Sequence, residues 1–122
     1  MGAQVTATAL LAEMRTTGAA SVQSISTNGA NQDVVSMGTI AARLLQSKLR
    51  TLFQIQAILC LSVAQAVDIM VSNSSEMGFS ESTILLRRFI RDLSPTITED
   101  RPLGRDIEAL ASALAVDAPP SA

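Results

Sequence analysis

The chain has 122 residues, 48% hydrophobic and only 16% charged, with a net charge of −2. A surface poor in charge points to cover by partner chains, and the weak negative charge gives no pull toward nucleic acid or anionic membrane. No His and a single Cys exclude an internal disulfide and a zinc site, and no phosphate-cradling glycine loop is present.

From the N-terminus, Ala3, Ala7, Leu10 and Met14 recur at helical spacing, so residues 3–15 are predicted as a helix that Gly18 stops. Residues 16–33 are rich in Thr, Ser, Asn and Gly and read as a loop, with a short extended piece at Ser21–Ile25. Asp33 or Ser36 then caps a helix from about Val34 to Ser72. Ser36 reads as a first-turn residue rather than a nucleophile, because no His exists to activate it.

The first half of this helix is amphipathic. Its second half, Ile55 to Val71, is apolar almost all round and needs cover on nearly every side. Gln56, Ser62, Gln65 and Asp68 interrupt that stretch, so a helix buried in protein is a better reading than a membrane span. Gln65 and Asp68, one turn apart, are expected to satisfy each other or a partner helix. Cys60 reads as a small buried apolar residue.

Ser80 caps a further helix over Glu81–Leu93, which Pro95 closes. Arg87, Arg88 and Arg91 form a basic face, read as a solvated or interfacial charge cluster. After a loop over Thr96–Gly104, a last helix runs from Arg105 to about Ala115. Residues 117–122, with Pro119-Pro120, are expected to form a flexible tail. No alternation supports a strand. The class is all-α: one long central helix plus shorter helices, with residues 1–116 as a single helical segment.

The run from Thr27 to Gly38, TNGANQDVVSMG, is the most informative in the chain. It resembles the active-site segment of the aromatic amino-acid ammonia-lyases and 2,3-aminomutases. The likeness extends over Gln4–Leu10, Glu13–Arg15, Ala20–Ile25, Gly38–Arg43, Ala64–Ile69, Glu99–Leu103 and Asp106–Leu110, in family order. It implies the C-terminal part of an ammonia-lyase-type helical bundle, completed by partner chains into a hetero-oligomer. Asn31 and Gln32 match the family's amide pair beside the electrophile and the substrate's amino and carboxylate groups. Asn28 matches a nearby polar position of the same site. Amides suit a zwitterionic substrate, since they donate and accept without adding charge.

The family's electrophile is a methylidene-imidazolone made from an internal Ala-Ser-Gly, and this chain has no such tripeptide and no Tyr. The resemblance therefore implies a split enzyme. A larger subunit carrying Ala-Ser-Gly would supply the group, and this chain alone would be inactive, without metal or nucleotide. The absence of His after Asn31-Gln32-Asp33 resembles the tyrosine- or phenylalanine-type branch. Lyase and mutase outcomes stay open, as do a non-catalytic scaffold and a fragment of a full-length enzyme. A cytoplasmic location is expected.

Overall fold

The computed structural model describes residues 2–26, 29, 31, 36–73 and 78–116. Among these the chain is all-α, with helices α1 (Gly2–Thr16), α2 (Gly38–Asn73), α3 (Glu81–Leu93) and α4 (Gly104–Val116). A 3₁₀ turn, Ala20–Gln23, lies between α1 and α2. The chain divides into two compact units at Leu52 and Phe53, within α2.

The first unit holds α1, the 3₁₀ turn and the start of α2. Ala3, Ala7, Leu10 and Met14 make the half-buried side of α1, as their spacing predicts, but no α1 residue is fully buried. The extended piece expected at Ser21–Ile25 is replaced at its start by the 3₁₀ turn. Ser24 N–H bonds back to the Ser21 carbonyl (3.3 Å), and the flanking Ala19 and Ser24 are extended.

Helix α2 begins at Gly38, not near Val34. Met37 stands at φ 52°, a left-handed conformation that no right-handed helix passes through. Ser36 therefore precedes the helix rather than lying in its first turn. The alternative cap, Asp33, lies outside the described residues.

The second unit holds the core. Ala57, Leu61 and Ala64 recur along α2 at spacings of four and three, so they share one face. They meet Ile90 of α3 and Leu110, Ala111 and Leu114 of α4, with Phe53, Cys60, Leu86, Phe89 and Ile107 packed around them. The small residues Ala57 and Ala64 suit close helix approach. Elsewhere on this half of α2, Leu59 is 62% exposed and Val63 48% exposed within the chain.

Helix α3 has the bounds its sequence predicts. The Ser80 hydroxyl accepts from the Thr83 amide at 3.3 Å, satisfying one orphan donor of the first turn. Helix α4 starts one residue before its predicted place and places Asp106 in its first turn.

Candidate functional site

The segment that leads to the candidate amides begins where α1 ends. Lys48 of α2 donates from Nζ to the Thr17 carbonyl at 3.1 Å. Ala20, in the 3₁₀ turn that follows, is 8% exposed and the only buried residue among those described in the first unit. Gly29 sits in a turn at φ 65°, a conformation glycine adopts at no steric cost. Asn31 is also in a turn and its side chain is exposed. Asn28 and Gln32 lie outside the described residues.

The chemistry available at Asn31 is that of a neutral amide: it binds and orients, and it does not move protons at physiological pH. The chain's thiol lies elsewhere. Cys60 packs against the core of the second unit, and burial pushes its pKa up, away from a reactive thiolate.

The second unit carries a polar network that fixes α2 to the segments after it. Asp68 receives Arg87 Nε on one carboxylate oxygen and Arg91 Nε (2.8 Å) and Thr96 Oγ1 (2.8 Å) on the other. Gln65 clamps the backbone of Ile97 from both sides, accepting its N–H and donating to its carbonyl, each at 3.0 Å. Arg91 also donates to Gln65 (3.4 Å) and to the Ser94 carbonyl (3.2 Å). Burial alone would raise the Asp68 pKa. Hydrogen bonds from Thr96 and Arg87, with the charges of Arg91 and Arg87, outweigh it and hold the carboxyl below its ordinary value.

A second knot closes the loop before α4. Asp106 accepts from Arg101 (2.7 Å) and from the hydroxyl of the fully buried Ser94. Those two hydrogen bonds, Arg101 first, pull its carboxyl below the usual range.

Asp68 and Gln65 are thus satisfied mainly by α3 and the loop behind it. The basic face of Arg87 and Arg91 finds its counter-charge on α2, and Arg101 pairs with Asp106. Sequence reasoning missed Lys48, and its one local signal is its place on the half-buried side of α2, with Leu44 and Thr51.

Two observations bear on the prosthetic group that the resemblance implies. The chain contains no Ala-Ser-Gly, so it does not form a methylidene-imidazolone from its own residues. Among the described residues, no buried side-chain nitrogen or oxygen lacks a hydrogen-bond partner, so of the described residues only the exposed amide of Asn31 matches a position that the resemblance sets beside such a group. Gly38–Asn73 is long and apolar enough to cross a membrane by length and composition, with an 18-residue stretch of mean hydropathy 1.7. The contacts of Gln65 and Asp68 cover the polar side of that helix with this chain's own residues.

A family profile described as aromatic amino acid lyase matches residues 1–92. The chain is 53% identical to a tyrosine ammonia-lyase of Cereibacter sphaeroides, over 98% of this chain and 23% of that protein. It is 47% identical to an MIO-dependent tyrosine 2,3-aminomutase of Streptomyces globisporus, over 93% of this chain and 20% of that protein. It is 40% identical to a histidine ammonia-lyase of Koribacter versatilis, over 87% of this chain and 20% of that protein. The crystal structure of the Streptomyces globisporus tyrosine aminomutase superposes with a TM-score of 0.83 at 46% identity, covering 93% of this chain and 21% of that one. The chain therefore spans about a fifth of the length of the relatives it matches.

Proposed function

Because this chain belongs to the aromatic amino acid lyase family, we propose that it is the C-terminal portion of an ammonia-lyase or 2,3-aminomutase acting on tyrosine or phenylalanine. In this reading Asn31 and Gln32, with Asn28, bind the substrate's ammonium and carboxylate and brace the electrophile. The electrophile, a methylidene-imidazolone, comes from Ala-Ser-Gly on a larger partner chain. The long helix α2 contributes to the core of the hetero-oligomer, which works in the cytoplasm. The elimination breaks the Cα–N bond and removes a Cβ proton, releasing ammonia and an arylacrylate. In the mutase outcome the amine returns at Cβ.

One observation carries the reading. Likeness to a tyrosine ammonia-lyase and a tyrosine aminomutase runs nearly the whole length of a chain that lacks the electrophile's precursor. Its amides suit the task, since neutral donors and acceptors fixed before reaction stabilise developing charge without adding any of their own.

The test is co-expression with a chain that carries Ala-Ser-Gly, purification through a tag on this chain, and incubation with tyrosine and phenylalanine. The expected result is copurification, with arylacrylate absorbance or a β-amino acid as product and no turnover by this chain alone. Asn31→Ala or Gln32→Ala lowers turnover about 100-fold in the assembled enzyme and leaves assembly intact. Turnover by the purified chain alone overturns the split arrangement. A soluble, inactive oligomer that retains no partner favours a scaffold derived from the family.

The share of its relatives that the chain spans also fits one longer polypeptide. An immunoblot of source cells decides this: a band several times larger than 12.8 kDa places the electrophile and the amides on a single chain.

A further inference from the structure

We infer that Lys48 is a positioning residue for the segment that carries the candidate amides. The inference rests on the functional reading above, and three features of the first unit lead to it.

The first is where the Lys48 ammonium goes. Thr17 is the first residue beyond α1, and the carbonyls at a helix C-terminus have no partner within the helix. Lys48 Nζ supplies one at 3.1 Å, and its charge meets the negative end of the α1 dipole. A lysine whose role is solubility stays hydrated and mobile, whereas Lys48 is half-buried and committed to a backbone atom.

The second is its place in the chain. Residues 18–37 leave α1 at Thr17 and enter α2 at Gly38. Lys48 stands ten residues into α2, about 15 Å along the axis at the rise of an α-helix. One hydrogen bond thus ties the entry of the segment to the helix that follows it.

The third is how little else in this unit is buried. Ala20 is the only buried residue among those described, and α1 buries none. Beside the hydrogen bonds within the 3₁₀ turn, the methyl of Ala20 and the ammonium of Lys48 hold the stem, and the ammonium is the directional one of that pair.

Two measurements on Lys48→Met and Lys48→Arg test the inference. Hydrogen exchange of the 122-residue chain needs no activity. Amides over residues 18–26 exchange faster in Lys48→Met than in wild type, while those of α3 and α4 do not change. Lys48→Arg restores protection, because a guanidinium also donates to a carbonyl.

Steady-state kinetics of the chain assembled with its Ala-Ser-Gly partner is the second measurement. The expected change in Lys48→Met is a fall in kcat on the order of tenfold, with KM moving less than kcat, as for a displaced binding group. Lys48→Arg recovers most of the loss. Unaltered exchange over 18–26 in Lys48→Met overturns the tether. Altered exchange with kcat within about twofold of wild type overturns the positioning role. If the wild-type assembly turns over neither amino acid, the proposed function fails, and the exchange result still decides the tether.

Discussion

The two units of this chain differ in what holds them. Phe53 to Val116 has an interior: three turns of α2 meet α3 and α4 around Ile90 and Leu110, and the ion pairs among the described residues, Asp68 with Arg87 and Arg91 and Asp106 with Arg101, all lie in this stretch. Among the described residues of the unit before it, one alanine is buried, and a lysine bonds the carbonyl that follows α1. The candidate amides lie in this weaker unit. Among the described residues the burial is concentrated where no chemistry is proposed. The buried core and the candidate amides thus lie on different stretches of sequence, and changes to one need not reach the other.

The largest expected effect belongs to the interior. Leu110 is fully buried in the shared cluster, so Leu110→Ala leaves a cavity and costs about 3 kcal/mol, read from the urea midpoint of the second unit. A loss below about 1 kcal/mol would show that this cluster is not what holds α4.

Asp68→Asn comes next. It removes the negative charge that Arg87 and Arg91 share, with the Asp68 side chain only 8% exposed and that of Arg91 13%. The amide keeps part of the hydrogen bonding, which limits the loss to about 2 kcal/mol. Removing both arginines together with Asp68 in a triple variant tells whether the loss reflects the network or the stranded charges.

Acid acts on the same network more gradually. The Asp68 and Asp106 carboxyls are both held below their ordinary values in the folded chain. A depressed folded pKa gives stability that is complete above the unfolded value of about 3.9 and is lost as pH falls through the folded one. Stability of the second unit is therefore expected to stay level from neutral pH to about 5 and to drop below about 4. The Asp68→Asn variant should show a shallower drop in the same titration, and an equal drop would assign the acid sensitivity elsewhere.

The smallest effect tests the other side of the comparison. Leu11 on α1 is 45% exposed, so Leu11→Ala in the chain alone changes thermal stability by less than about 0.5 kcal/mol. A larger loss would mean that α1 is better supported than its burial shows.

What was legible in the sequence follows the range of the interactions. Helix α3 was readable to the residue because its signals are local: Ser80 at the cap and Pro95 past the end. The half-buried side of α1 followed from its spacing alone. The start of α2 was misplaced because a left-handed Met37 has no signature in residue type, and the neighbouring glycine gives no reason to put the turn there. The partners of Asp68 lie 19 to 28 residues away and those of Gln65 26 to 32 away. Periodicity told that these two side chains needed partners on an apolar helix, and could not tell which ones. The site was legible only as a resemblance: Asn31 sits in an exposed turn, and nothing in its local geometry would single it out from any surface asparagine.

The reach of Gln65 to Ile97 also has a consequence in time. The two are 32 residues apart, so on a ribosome adding about 5–20 residues per second the clamp closes about 2–6 seconds after Gln65 is made. Over that interval a helix with an 18-residue stretch of mean hydropathy 1.7 has the side chains of Gln65 and Asp68 unmet and its core face uncovered. A pause in translation between codons 73 and 97 would lengthen that exposure.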